Sequence, residues 1–127
     1  MSDDPQWMPD SETAYVEEGK IKDYLLNESH PRGGGKARFF LGLGFSAAGW
    51  QTFARALTEQ GAAAVLVGSS RTVTGNVQYE VDGPLGTPSG RSPQIRTVWE
   101  RHAAVDPYPE GLRLVTAFPG GVNTPRR

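Results

Sequence analysis

Residues 24–40 read YLLNESHPRGGGKARFF, and the rest of the chain is arranged around this stretch. A hydrophobic helical turn leads into it and a second helix leads out of it. Between them lie His30, Pro31 and three glycines, so the chain turns there. Lys36 and Arg38 follow at the start of the second helix, where backbone N–H groups without helical partners attract anions. The stretch therefore predicts a helix–loop–helix corner with a titratable histidine beside an anion site.

The hydrophobic pattern on both sides of this corner predicts three helices. The first runs from about residue 17 to 26, with apolar residues at three- and four-residue spacing. The second spans about residues 36–43 and is closed by Gly44. The third begins with Ser46 as its N-cap, runs to about residue 59 and stops at Gly61.

Beyond Gly61 the pattern changes to short runs typical of β-strands. Residues 76–81 alternate between apolar and polar side chains, which indicates a strand with one buried face. Similar runs lie at residues 63–67, 94–101 and 112–118. Because connections this short favour antiparallel pairing in sequence order, the predicted fold class is α+β, with N-terminal helices packed on a roughly four-stranded antiparallel sheet.

The chain of 127 residues is long enough for one domain with a real core. We expect an acidic, flexible arm at residues 1–16, a single α+β domain at residues 17–119 and a flexible tail at residues 120–127. All 13 Lys and Arg lie after residue 19 against eight of the 14 acids, so that part has a formal charge of +5. A basic body fits an anionic ligand, and the alternative is a solvated surface beside an acidic arm.

Composition excludes several classes of site. The chain has no cysteine, which rules out a disulfide framework, a thiolate zinc site and a cysteine nucleophile. With only two histidines, we expect no histidine-rich metal centre and no cofactor. The start of the chain lacks the pattern of a signal peptide, and no apolar run is long enough for a bilayer. The sequence therefore predicts a soluble, cytoplasmic protein without a membrane partner.

Three residues of the corner are candidates for phosphodiester chemistry. Histidine titrates near neutral pH, so His30 is suited to exchange a proton with a ribose 2′-hydroxyl or a leaving 5′-oxygen. Its alternative role is to cap a helix or bond a loop carbonyl. Lys36 and Arg38 are suited to stabilise charge on a phosphate, and the alternative is that both are solvated helix cations. The glycines lack the spacing of a nucleotide-triphosphate loop.

A second set of candidates lies on the predicted strands. Arginines and threonines on adjacent strands are suited to form a phosphate-binding patch, and Thr116 on the last strand is assigned to it. Trp99 and Tyr79 are candidate stacking platforms for bases, with core packing as their alternative role. The residues predicted to bind RNA are Arg38, Arg91, Arg96, Thr97, Trp99 and Tyr79.

Several motifs resemble those of a known superfamily. They are Tyr-Leu-Leu-x(3)-His-Pro-x-Gly-x-x-Lys-Ala-x-Phe-Phe at residues 24–40, Gly90-Arg91, Thr97-Val98-Trp99 and Leu114-Val115-Thr116-Ala117. Over about residues 18–119 the chain resembles small bacterial and phage-associated domains of the barnase–EndoU–colicin–RelE superfamily. The resemblance implies helices before a four-stranded antiparallel sheet, and a metal-independent ribonuclease commonly used as a toxin. It also implies that His30 is the acid or base and that Lys36 stabilises the transition state, with Arg91, Thr97 and Thr116 in support.

The sequence thus leads to two hypotheses about function. The first is a metal-independent ribonuclease of toxin or effector type, with His30, Lys36 and Thr116 as its catalytic residues. Its partners would be RNA and a cognate antitoxin or immunity protein. Because no second histidine is well placed, the acid and the base are not both imidazoles. The alternative is a non-catalytic binding module, an immunity or accessory protein on the same fold.

Overall fold

A computed structural model of the chain describes residues 6–32 and 34–119. The predicted tail, residues 120–127, lies outside this range, as do Gly33 and the first five residues of the predicted arm. The described residues form an α+β domain with its helices in the N-terminal half and four of its five strands after residue 64. No helix within them is long and apolar enough to cross a membrane.

The helical elements come first, and the three predicted helices are confirmed in order. A 3₁₀ turn occupies Ser11–Thr13, and α1 occupies Glu18–Lys20 with a π-helical continuation at Ile21–Leu25. The other two helices are α2 at Gly34–Gly42 and α3 at Trp50–Ala63. Together, α1 and its continuation fill the place of the first predicted helix.

Helix α3 starts and ends later than the sequence predicts. Its N-cap is Gly49, whose N–H donates to the Ser46 hydroxyl at 3.1 Å. The helix continues through Gly61, so this glycine does not end it. A Cβ atom at Gly61 would lie 2.8 Å from Cζ2 of Trp99. Close contact between helix and sheet, rather than helix termination, therefore requires a glycine here.

The sheet has five strands in the order β1-β5-β4-β3-β2. Their bounds are Ala14–Tyr15, Val65–Arg71, Val77–Pro84, Gln94–His102 and Gly111–Pro119, numbered β1 to β5. Strands β2 to β5 pair antiparallel in sequence order, but β1 pairs parallel with the start of β5. The sheet is thus five-stranded and mixed, not four-stranded and antiparallel. A two-residue strand carries no alternation from which the sequence could reveal it.

Residues 8–16, which the sequence assigned to the flexible arm, belong to the domain. Met8 and Val16 are buried in the core. The carbonyl of Gln6 accepts a hydrogen bond from the backbone N–H of Leu66 at 2.8 Å. Two buried apolar side chains and a backbone hydrogen bond attach the segment, and its acidic composition does not reveal these contacts.

The core lies between the helices and one face of the sheet. The ring of Phe53 on α3 lies 5.0 Å from the ring of Phe40 and 4.3 Å from that of Phe45. The strands add side chains without solvent exposure, namely Val81, Ile95, Trp99, Leu112 and Leu114. Burial of apolar area on this scale is the main favourable term in folding.

A buried hydrogen-bond network ties α3 to the sheet. Nε2 of Gln60 donates to the carbonyl of Gly83 at 3.2 Å and to that of Ile95 at 2.8 Å. The Thr97 hydroxyl donates to Oε1 of Gln60 at 2.8 Å and accepts from Nε1 of Trp99 at 2.7 Å. Each of these polar side chains has a partner, which is the condition for placing them in the core.

Candidate functional site

Three side chains from three different elements meet at one edge of the sheet. Nζ of Lys36 on α2 donates to the hydroxyl of Tyr24 at 2.5 Å and to that of Thr116 at 3.2 Å. The two hydroxyls are 3.1 Å apart and share a further hydrogen bond. We call these three side chains the Lys36 cluster. It joins the π-helical segment and α2 to β5. Thr116 lies 92 residues after Tyr24 and 80 residues after Lys36 in the sequence.

A β-bulge in β5 aims Thr116 into the cluster. Leu114 is buried in the core, so an unbroken alternation would turn Thr116 toward the core as well. However, Trp99 pairs with Leu114 while Val98 pairs with Thr116, which leaves Val115 as an extra residue in β5. The extra residue shifts the alternation by one position, and Thr116 points to Lys36 instead.

Helix α2 holds the Lys36 ammonium in place by its buried face. Ala37 and Phe40 are fully buried and anchor the helix on the core. Nζ of Lys36 lies 5.0 Å from the ring centroid of Tyr24 and 5.5 Å from that of Phe118. Attraction between the ammonium and the two aromatic rings stabilises its position in addition to its hydrogen bonds. An ammonium has three N–H donors, and the described hydrogen bonds use two of them.

The surroundings of Tyr24 favour its ionised form. Burial raises the pKa of a phenol, but hydrogen bonds with Lys36 and Thr116 lower it. The charges of Lys36 and Lys20 lower it further, so the pKa of Tyr24 lies below the ordinary value of 10.0. A tyrosine that gives up its proton more readily than usual is suited to act as a base.

Two more cations lie next to the cluster. Nζ of Lys20 is 5.5 Å from the ring centroid of Tyr24. Burial lowers the pKa of Lys20, and the nearby charge of Arg113 lowers it further, while Tyr24 and Glu17 act in the opposite direction. Nη1 of Arg113 lies 3.8 Å from a carboxylate oxygen of Glu17. Among the described residues, this edge of the sheet therefore carries three cations, and the carboxylates of Glu17 and Glu100 lie near one of them, Arg113.

His30 lies beside the cluster, in contact with Tyr24. Its ring meets the ring of Tyr24 edge-on, with centroids 4.9 Å apart. The backbone N–H of Arg32 donates to Nδ1 of His30 at 3.0 Å. Because Nδ1 accepts this bond, the neutral imidazole carries its proton on Nε2. The ring as placed is a donor through Nε2 and not a base through Nδ1.

No described hydrogen bond or ion pair links the predicted RNA-binding arginines to the cluster. Arg96 makes two hydrogen bonds to Asp82, at 2.7 and 2.8 Å, and Glu80 lies 3.6 Å away. The hydrogen bonds with Asp82 raise the pKa of Arg96, although burial opposes them, so this cation is already paired. Arg38 and Arg91 are exposed, on α2 and in the loop before β4 respectively.

The structure does not support RNA contacts by Thr97 or Trp99. Both side chains have 0% exposure and bond to each other in the network around Gln60. Tyr79 is half-buried and packs against the core. The indole of Trp99 packs closely against Gly61 of α3. A side chain on which a base stacks would instead lie at the surface. Core packing is the role that these residues have here.

Sequence reasoning placed Lys36 and Thr116 in one cleft but missed Tyr24, Lys20 and Arg113. Tyr24 lies on the same face of the first predicted helix as Ile21 and Leu25, so the sequence did not single it out. Lys20 precedes Tyr24 by one helical turn, a spacing that could have signalled their contact. No local signal connects Arg113 to either, because β5 reaches them only through the sheet.

The described residues contain no group of three or more His, Cys, Asp and Glu side chains that could hold a metal ion. A groove of about 420 Å³ lies on another part of the surface, lined by Phe45, Arg55, Glu59 and Thr87 among others. Its two charged residues are of opposite sign and on one helix. The Lys36 cluster is therefore the better candidate for recognition of an anion.

Residues 7–121 match the family described as Domain of unknown function (DUF6883), and the chain belongs to that family. The match begins before the 3₁₀ turn and includes the helices and all five strands of the described residues. The described domain is therefore the family domain. No curated protein and no solved structure matches the chain.

Proposed function

We propose that this member of the DUF6883 family is a metal-independent ribonuclease of toxin or effector type, with the Lys36 cluster as its catalytic site. The observation that carries the proposal is the ammonium of Lys36, held between the hydroxyls of Tyr24 and Thr116 with one N–H donor left for a ligand. Phosphoryl chemistry without a metal needs fixed positive charge at the phosphate and a base beside it. RNA is the substrate because its own 2′-hydroxyl supplies the nucleophile.

In this proposal Lys36 binds the scissile phosphate and Thr116 supports the base. The ammonium donates its third N–H to a non-bridging oxygen, and the Thr116 hydroxyl donates to the phenolate of Tyr24. The ammonium is positioned before the substrate arrives, so negative charge that develops on the pentacoordinate phosphorus is stabilised without rearrangement of the site. Arg38 and Arg91 are exposed cations available to flanking phosphates.

Tyr24 takes the role of base and His30 that of acid. The phenolate of Tyr24 removes the proton from the 2′-hydroxyl as the bond from O2′ to phosphorus forms. The bond from phosphorus to O5′ breaks, and Nε2 of His30 supplies the proton to the leaving 5′-oxygen. The products are a 2′,3′-cyclic phosphate and a free 5′-hydroxyl. The lowered pKa of Tyr24 supports its role as the base. To act as the acid His30 must be the imidazolium, so Nδ1 takes up a proton and no longer accepts the N–H of Arg32.

The test is cleavage of an RNA oligonucleotide by the purified protein in EDTA. We expect a 2′,3′-cyclic phosphate end and no cleavage of the same oligonucleotide with a 2′-deoxy sugar at the cut site. Lys36→Met is expected to lower the rate at least 100-fold. Its matched control is Lys22→Met, because Lys22 is exposed and pairs only with Glu18 among the described ion pairs. Cleavage that requires a metal ion, or a fully active Lys36→Met, would contradict the proposal.

A second candidate function is a non-catalytic binding module, and one observation favours it. The N–H of Arg32 already occupies Nδ1 of His30, so Tyr24 is the one residue of the described site that is placed to act as a base. In that case the Lys36 cluster holds a phosphate, or an acidic partner such as an antitoxin or immunity protein, without cleaving it. RNA that binds in a Lys36-dependent manner but stays intact, together with harmless expression in a host cell, would select this candidate.

A further inference from the structure

Two buried polar atoms next to the Lys36 cluster have no hydrogen-bond partner. Among the described residues, these atoms are the hydroxyl of Tyr15 and Nε of Arg113. Tyr15 and Arg113 are direct partners in the parallel pairing of β1 with β5, so the two atoms belong to one place in the fold. Leaving a buried donor unsatisfied costs free energy, and two at one place indicate that something else satisfies them.

The same place carries excess positive charge. The charge of Arg113 lowers the pKa of Lys20 after burial does, so the two cations repel each other across a partly buried space. Glu17 partly compensates both, but its carboxylate reaches Arg113 only at 3.8 Å. Glu100 lies opposite Arg113 on β4, and the charge of Arg113 is among the causes that lower the pKa of Glu100, but the Glu100 oxygens accept their hydrogen bonds from Asn76 and Gln78. An anion would therefore be stabilised here.

We propose that Lys20, Arg113 and Tyr15 form a second phosphate subsite, which binds a phosphate of the same nucleic-acid strand that the Lys36 cluster holds. Nζ of Lys20 and the Nη atoms of Arg113 donate to the phosphate oxygens. Nε of Arg113 and the Tyr15 hydroxyl are closed to solvent in the structure and become donors as the phosphate displaces Glu17. Lys20 and Lys36 both contact the ring of Tyr24, at 5.5 and 5.0 Å, so the two subsites adjoin. The proposal rests on the proposed function in naming the strand as RNA, and it makes the ligand a chain with at least two phosphates.

Glu17 has a defined part in the subsite. Its carboxylate lies beside the cation that would bind the phosphate, and it raises the pKa of the Tyr15 phenol, whose burial is the larger cause of the same shift. An incoming phosphate must replace this carboxylate as the partner of Arg113. Removal of the Glu17 charge therefore strengthens binding, whereas removal of Lys20 weakens it. A purely structural role for these residues predicts no gain on neutralising Glu17.

The experiment measures binding of uncleavable 2′-O-methyl oligonucleotides that contain one or two internucleotide phosphates. For the unchanged protein we expect the second phosphate to lower Kd about tenfold, as one further charge-assisted contact does. Lys20→Met and Arg113→Met are expected to abolish most of this gain and to leave the Kd of the one-phosphate ligand within about twofold. Glu17→Gln is expected to tighten only the two-phosphate ligand, by about threefold.

Salt dependence supplies a second readout. For the two-phosphate ligand, Lys20→Met is expected to reduce the slope of log K against log salt by about 0.7, which corresponds to one lost phosphate contact on a single strand. Lys22→Met is the matched control, since Lys22 lies two residues away on an exposed position and pairs with Glu18. If Arg113→Met fails to fold, as judged by its circular dichroism melt, Lys20→Met and Glu17→Gln still decide the question.

The outcomes separate this inference from the proposed ribonuclease activity. A length-dependent gain that requires Lys20, in a protein that never cleaves RNA, leaves the subsite standing and removes the catalytic proposal. If the protein cleaves RNA, but neither Lys20→Met nor Glu17→Gln changes the gain in affinity from the second phosphate, the catalytic proposal stands and the subsite is removed. Equal weakening of both ligands by Lys20→Met, or no binding of either ligand to the unchanged protein, overturns the subsite.

Discussion

The ammonium of Lys36 lies 2.5 Å from the hydroxyl of Tyr24, the shortest link in a cluster that joins two helical segments to the sheet. The contact does two things at once. It holds the cation at a defined point on the surface, and it lowers the pKa of the phenol by favouring its ionised form. A cation and a potential base at hydrogen-bond distance are the elements from which metal-free phosphodiester cleavage is built.

Tyr24 is expected to ionise at lower pH than Tyr15. Its pKa is lowered, whereas burial raises the pKa of Tyr15, so a spectrophotometric titration resolves an early and a late phenolate. Tyr24→Phe removes the early step and lowers the cleavage rate at least 100-fold. Tyr108→Phe is the control, because Tyr108 stacks on Tyr15 and has no part in the Lys36 cluster. An early step that survives Tyr24→Phe would show that another group produces it.

The pH dependence of stability has a definite sign. Because the folded-state pKa of Tyr24 is lowered, ionisation of Tyr24 stabilises the fold, fully above the unfolded-state pKa of about 10. This contribution is lost as the pH falls through the folded-state pKa. Relative to Tyr24→Phe, the unchanged protein is therefore expected to gain free energy of unfolding as the pH rises toward 10, as measured by urea denaturation. A difference that is constant with pH contradicts the lowered pKa.

Activity and stability are expected to depend on the hydroxyl of Thr116 more than on the branched shape of this side chain. Thr116→Val keeps the branched side chain that suits a strand but removes two hydrogen bonds of the Lys36 cluster. We expect a loss of about 1 kcal/mol in the free energy of unfolding and a rate at least tenfold lower. Thr116→Ser keeps the hydroxyl and is expected to retain most of the activity. If the serine and valine variants behave alike, the hydroxyl has no role.

The buried Gln60 network is expected to support the fold and not the site. Gln60→Leu removes the side-chain donor to two backbone carbonyls and the acceptor of the Thr97 hydroxyl proton, so we expect the free energy of unfolding to fall by about 2–4 kcal/mol. Gln51→Leu on the exposed face of α3 serves as the control. Binding of a one-phosphate ligand is expected to be unchanged in folded Gln60→Leu, and a selective loss of that binding contradicts this separation.

Gly61 is expected to tolerate no side chain. A Cβ atom there would lie 2.8 Å from the indole of Trp99, so Gly61→Ala is expected to destabilise the protein by about 1–3 kcal/mol. Gly42→Ala in α2 meets nothing within 4 Å and is the matched control, with an expected change between zero and a gain of about 1 kcal/mol. Thermal denaturation measures both. A neutral Gly61→Ala would mean that the indole can move aside.

The sequence by itself determined the class of fold. Apolar residues at helical spacing predicted three helices, and alternation at residues 76–81 predicted a strand, because both patterns are local consequences of which side faces the core. It also placed Lys36 and Thr116 in one site, through the resemblance of their motifs. It misplaced the ends of α3 because a glycine that ends a helix and one that admits an indole look alike in sequence.

Tertiary structure alone decided which side chains meet. The bulge at Val115 turns Thr116 away from the core, and a bulge depends on the partner strand rather than on local propensity. The parallel pairing of β1 with β5 sets Tyr15 beside Arg113, although the two-residue strand carries no pattern of its own. The contact of Lys36 with Tyr24 arises where two helical segments cross, so the base of the proposed reaction became visible only when the chain was folded.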